Sequence, residues 1–256
     1  MNDSLYIAAT GMQAQQKNVE TIANNLANVN TPGFKRGRVS FDEMVYRHIQ
    51  GAVPNDAAPI FMGNGVAMAS LMKSFAVGEL KPGNSALDIA IRGDGFVEVV
   101  DAEGVSAFSR GGTFAVDRDG FLTADNGMPL KSSIRVGTEA ASIVVDADGR
   151  VYVRQDGQGN PVEVGKLDLV RFADTSGLEP AGAGLYRPTQ RSGEPMPGEP
   201  GEAGFGQFAQ GFIEASNVNL AQEMVELMVA QRAYESNAKV IQASDEMLAM
   251  SNNLRK

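Results

Sequence analysis

Both ends of the chain carry an apolar residue at every seventh position, and the middle carries neither that repeat nor a helix pattern. Near the N-terminus the row is Leu5, Met12, Val19 and Leu26, joined three residues on by Ala8, Ile22 and Val29. Near the C-terminus it is Leu220, Leu227, Tyr234, Ile241 and Leu248. Seven-residue spacing marks helices that pack along a narrow seam. One such helix at each end predicts termini that pack together and a middle that forms a separate body, a geometry that favours an assembly subunit over an enzyme. The first helix is expected from an N-cap at Asp3 or Ser4 to about Val29, stopped by Asn30-Thr31-Pro32-Gly33. Its length is roughly 37 Å. Asn219 with Gln222 reads as a capping box opening the last helix, which spans ~43 Å to Leu248.

The polar face of the first helix is built of amides: Gln13, Gln15, Gln16, Asn18, Asn24, Asn25 and Asn28, with Lys17 and Glu20 as the few charges. A solvated helix face is normally rich in Lys and Glu. A mediocre surface helix and a helix packed on more than one side both fit. The amides favour the second, because they can bond to other helices when buried.

The 256 residues suffice for one large domain or two smaller ones with real cores. A net charge of −9 makes general nucleic-acid binding a poor fit, since phosphate needs basic surface. The chain holds no Cys, so disulfides and thiolate chemistry are excluded. The start shows no basic region followed by an apolar run, and no stretch approaches the ~18 apolar residues of a membrane span.

Residues 34–85 are irregular and are expected to form extended arms or hairpins. Phe41–Tyr46 suits a short helix or a strand, Pro54–Pro59 a loop. Lys35, Arg36, Arg38 and Arg47 make the only basic cluster, read as a solvated turn or as an ionic contact to an acidic neighbouring subunit. From Ala86 the pattern turns to strands. Asp117-Arg118-Asp119-Gly120 and Asp146-Ala147-Asp148-Gly149 each sit between short apolar runs and predict hairpins, and Val162–Phe172 predicts a longer strand. Ser192–Glu202 is a Pro/Gly/Glu segment, read as a loop or linker. The expected fold class is α+β: N- and C-terminal helices packed as a coiled-coil-like tube domain, with an inserted, mainly antiparallel β domain. The expected divisions are 1–33 as the N-terminal assembly helix, 34–85 as an arm, 86–202 as the outer β domain, and 203–256 as the return segment and C-terminal assembly helix.

No catalytic, cofactor-binding or metal site emerges. His48 is the only His, too few for a metal cluster or a base with its orienter, and is read as an ordinary loop or surface residue. The two Asp-rich turns lack the Glu that closes a calcium loop, since position twelve is Met128 in one and Gly157 in the other. Gly204-Phe205-Gly206-Gln207-Phe208-Ala209 matches a dinucleotide fingerprint only as a string, without the preceding strand and following helix.

Three stretches carry a family likeness. Ser4–Met12 (SLYIAATGM) is followed by Ile22–Arg36 (IANNLANVNTPGFKR). Near the other end stand Gln210–Asn219 (QGFIEASNVN) and Val229–Glu235 (VAQRAYE), and in the middle Phe108–Phe114 (FSRGGTF). Together they closely resemble bacterial flagellar rod and hook proteins over almost the whole chain. The most specific residues are Asn24, Asn25, Leu26, Ala27, Asn28, Pro32, Gly33 and Phe34; Gly111 stands where the family pattern leads one to expect an acidic residue. Within the family the likeness is to the distal rod, with the proximal rod as the nearest competitor. The resemblance implies a non-enzymatic structural subunit that self-assembles into a helical tube and transmits torque from motor to hook. Its implied partners are copies of itself, proximal rod and hook subunits, periplasmic and outer-membrane ring proteins, and the flagellar export apparatus. Its implied location is the basal body across the periplasm, reached without a cleaved signal peptide. The assembly seam would comprise Leu5, Met12, Val19, Ile22, Leu26, Val29, Leu220, Leu227, Tyr234, Ile241 and Leu248. An enzyme that trims cell wall is the reading from a different class.

Overall fold

The computed structural model describes residues 2–44, 47–48, 61–101, 103–124, 126–137, 140–155 and 160–253. The expected loop Pro54–Pro59, the Tyr46 end of Phe41–Tyr46 and the last three residues lie outside them. The class is α+β, with a long helix at each end and antiparallel sheets between them. The chain divides into two compact units. The first comprises Met1–Ala27, Gly37–Met72 and Asn219–Lys256; the second comprises Asn28–Arg36 and Lys73–Val218.

The first unit is helical. Helix α1 spans Asn2–Ala27 and helix α2 spans Leu220–Asn253. The Asn219 side chain accepts from the Gln222 N–H at 3.2 Å, the N-cap half of the expected capping box, while the Gln222 amide donates forward to Glu226 Oε1 at 3.1 Å; the Asn219 carbonyl accepts from the Glu223 N–H. Helix α1 ends two residues before Val29, and α2 runs five beyond Leu248. Strand Gly37–Glu43 pairs with Val66–Lys73, so Phe41–Glu43 is strand rather than helix. Thr10 ties this ladder to α1: its hydroxyl accepts from the Val66 N–H at 3.3 Å and donates to the Ile7 carbonyl. His48 lies in a two-residue strand opposite Phe61.

The second unit is mainly β, with one short 3-10 helix at Thr175–Gly177. One four-stranded sheet has the order Leu122–Ala124, Gly111–Val116, Asp88–Arg92, Gln207–Gln210; another has Glu179–Gly182, Leu185–Arg187, Ser106–Ser109, Val97–Val100. A three-stranded sheet joins Ala140–Val145, Arg150–Gln155 and Val162–Lys166. Both predicted hairpins form, with Val116 opposite Leu122 and Val145 opposite Val151. The long strand expected over Val162–Phe172 breaks in two. Its first part joins the three-stranded sheet, Leu167 turns inward to full burial, and Leu169–Arg171 pairs with Met196–Gly198. That pairing places a short strand inside the Ser192–Glu202 segment.

The main core gathers Ile89, Ile91, Val99, Leu122, Val151 and Leu167, all fully buried. A second cluster is aromatic. Phe96 and Phe108 meet Phe172 edge to face at 5.6 and 4.9 Å, and Phe75 meets Tyr186 at 4.8 Å. Such geometry sets the positive ring edge against the negative face. Gly111 holds a φ of +101°, and a Cβ there would run into the carbonyl of Ile89 across the ladder. An acidic side chain at that position does not fit this strand pairing.

Candidate assembly surfaces

Where α1 and α2 meet, the most closely apposed residues are small or polar. Ser4 and Ser244 place their hydroxyls 3.5 Å apart. Gly11 faces Asn237 so closely that a Cβ would stand 2.8 Å from its amide nitrogen. The Asn25 amide donates to Glu223 Oε2 at 3.1 Å and to the Gly37 carbonyl, and its oxygen accepts from the Gly37 N–H at 2.8 Å. These contacts step by seven or fourteen residues forward on α1 and by the same number back on α2, so the helices run antiparallel. Asn25 is 1% exposed and Glu223 0%. Ala230, at 1%, fills the place one step from Glu223. Sequence reasoning missed this row. Its signal was present as a second seven-residue spacing, one residue before the apolar row on α1 and three after it on α2, hidden because its members are polar or small.

With the polar row at the contact, much of the apolar surface of α2 is left in solvent. Leu220, Met224, Val225, Met228 and Val229 are each about half exposed. They follow one another at helical spacing along the first turns of α2. Of the residues in the expected seam, Ile22 is buried; Leu5, Met12, Val19, Leu26, Leu227, Ile241 and Leu248 are half-buried; Leu220 and Tyr234 are exposed. Val29 stands beyond the end of α1, half-buried within the second unit. Contiguous exposed apolar side chains of this kind are characteristic of interaction surfaces.

The family-specific turn belongs to the second unit. Its Asn28 accepts from Thr31 through both backbone and side chain, and the Gly33 N–H bonds to the Glu214 carbonyl at 2.7 Å. The Phe34 ring carries the Lys73 ammonium 4.3 Å above its centroid. Asn24, Ala27 and Pro32 are exposed, while Asn28, Gly33 and Phe34 are half-buried.

Lys35 departs from the expected solvated turn: its side chain is 1% exposed. The ammonium meets Glu214 Oε1 at 2.7 Å and donates to the Ala76 carbonyl, while Arg110 Nε meets Glu214 Oε2 at 3.3 Å. The Gly78 N–H also bonds Oε1, and Arg110 donates to the carbonyls of Gly93 and Gly95. Burial pushes the Lys35 ammonium below its usual range more than the Glu214 charge lifts it, with Arg110 adding to the downward pressure. Asn217 completes the arrangement: its oxygen accepts from the Arg36 N–H, and its amide donates to the carbonyls of Ser74 and Ala76. The three segments through which the chain leads to and from the helical unit are thereby bound together inside the β unit.

A groove of about 820 Å³ in this unit is lined by Phe34, Asp88, Arg110, Tyr186, Glu214 and others. Its two buried carboxylates hold the fold. Asp88 accepts from the Ser85 N–H and the Thr113 hydroxyl, and Glu214 carries the two cations already described.

Antiparallel terminal helices with an uncovered apolar face, joined to a β unit whose buried charges serve structure, define a structural assembly subunit. Comparison with known proteins gives the family. Residues 5–35 match the model described as flagella basal body rod protein, residues 90–153 the flagellar hook protein FlgE/F/G D1 domain, and residues 209–254 the flagellar basal body rod FlgEFG protein C-terminal. The flagellar basal-body rod protein FlgG of Borreliella burgdorferi is 40% identical, covering 100% of both chains. The FlgG of Caulobacter vibrioides is 38% identical over 98% of this chain and 99% of its own. The FlgF rod protein of the same organism is 30% identical over 96% of this chain and 95% of its own. The chain belongs to the flagellar basal-body rod protein family, and its likeness is to the distal-rod member.

Proposed function

We propose that this subunit builds the distal rod by packing α1 and α2 against the same helices of neighbouring copies. The resulting helical tube carries torque from motor to hook. The observation that carries this reading is the solvent-exposed row Leu220, Met224, Val225, Met228 and Val229, which the chain's own α1 leaves uncovered. Burying such side chains stabilises an interface by about 1.5–3 kcal/mol each. The half-buried residues Leu5, Met12, Val19, Leu26, Leu227, Ile241 and Leu248, the buried Ile22, and Val29 and Tyr234 complete the proposed seam. Proximal rod and hook subunits are the partners at the tube's ends. The β unit with Ser192–Glu202 is the surface offered to periplasmic and outer-membrane ring proteins. Delivery through the flagellar export apparatus, without a cleaved signal peptide, suits a subunit that assembles across the periplasm.

The test is Met228→Glu. Met228 is about half exposed, so the lone chain should fold as before, with β-unit melting unchanged. In the polymer a charge buried without a partner costs several kcal/mol per interface. Electron microscopy should show filaments for the native chain and none for the variant. Filaments of native length from the variant would contradict the proposal. For the cell-wall reading, incubation with peptidoglycan should release no soluble fragments.

A further inference from the structure

The apolar rows of α1 and α2 repeat every seven residues, so a slip of seven sets one apolar residue where another had been. Those rows therefore do little to fix which turn of α1 meets which turn of α2. The polar row does. Asn25 is held by both the N–H and the carbonyl of Gly37, which aims its remaining amide hydrogen at Glu223. A slip of seven one way sets Glu223 against Asn18 and withdraws it from the amide that Gly37 orients. A slip the other way sets Asn25 against Ala230, whose methyl accepts no hydrogen bond.

We propose that Glu223 is the register-determining residue of the helix pair, selecting one antiparallel alignment out of a set spaced by seven residues. A fully buried carboxylate is a poor source of stability. Its worth here lies in the difference between alignments, because a buried charged acceptor that loses a donor is costly. Gly11 reinforces the choice, since the close approach to Asn237 leaves no room for a side chain at that level. The inference rests on the helix contact within one chain and not on the rod reading.

The chain contains no Cys, so introduced pairs report alone. Ser4→Cys with Ser244→Cys reads the observed alignment, and Ser4→Cys with Asn237→Cys reads the alignment displaced by seven residues that sets Glu223 against Asn18, with Gly11 left intact in both. Both pairs are placed in the dilute full-length chain on three backgrounds: native, Glu223→Met and Glu223→Gln. Disulfide closure within the chain is followed by non-reducing electrophoresis and peptide mapping, with helicity recorded alongside. On the native background the first pair should close faster than the second by about tenfold or more, the weight of one hydrogen bond to a buried charge. Glu223→Met should bring the two rates to the same order while helicity is retained. Glu223→Gln, which keeps an oxygen acceptor, should restore the preference. An unchanged preference in Glu223→Met would overturn the inference, as would equal closure on the native background or failure of the first pair to close at all. Polymerisation of the native chain, scored in parallel, reports separately on the rod reading.

Discussion

Lys35 and Arg38 stand three residues apart in one basic cluster and have opposite fates. Arg38 is exposed, whereas Lys35 is buried against a carboxylate 179 positions away. Spacing along the sequence carries no sign of that partner, which is why charge alone suggested a solvated turn. Lys35→Met should cost the β unit about 3–5 kcal/mol in thermal or urea unfolding, because one cation is removed from an arrangement that stays buried. Arg38→Ala should change stability by less than ~0.5 kcal/mol. Tyr186 gives a prediction in pH. Burial pushes its phenol up to about 12, with the Glu214 charge acting in the same direction. Between pH 10 and about 12 the folded chain keeps that proton while the unfolded chain loses it. Stability should therefore fall as pH rises through this window, by about 3 kcal/mol when fully expressed. Lys35 acts with the opposite sign just below 10.5, because the unfolded chain holds its proton more tightly there. Tyr186→Phe should remove the Tyr186 part of the slope above pH 10, measured by urea unfolding of both proteins across pH 9–11.

At the scale of elements, local chemistry was readable wherever it acts over a few residues. Asn219 caps α2 as its spacing with Gln222 predicts, and the Asp117–Gly120 and Asp146–Gly149 turns close hairpins in the expected places. Elements set by distant partners were not readable. Met196–Gly198 is a strand within a Pro-rich segment only because Leu169–Arg171 offers it a ladder. The family likeness singled out Asn25 without revealing that it joins Glu223 and Gly37. Asn219→Ala should cost α2 about 1 kcal/mol. In the assembled filament, where the rest of α2 is protected, the loss should appear as faster amide exchange confined to the first turn after Leu220.

At the scale of the molecule, the two units differ in how they are sustained. The β unit holds two buried clusters and a set of bonded internal charges, so its own packing should sustain it. The helical unit meets along a row of Ser, Gly, Asn, Glu and Ala; most of its seam residues are only half-buried, and Leu220, Met224, Val225, Met228 and Val229 of α2 stay exposed. Helices gain most of their stability from burial of an apolar face, so α1 and α2 should be marginal until neighbouring copies cover them. Amide hydrogen exchange, compared between dilute monomer and assembled filament, tests this most directly. The account predicts slow exchange across Ile89–Phe172 in both states. It predicts that exchange across Ile7–Leu26 and Leu220–Leu248 is faster than in the β core in the monomer and becomes slow in the filament. Protection of those helices in the monomer equal to that of the β core would contradict it.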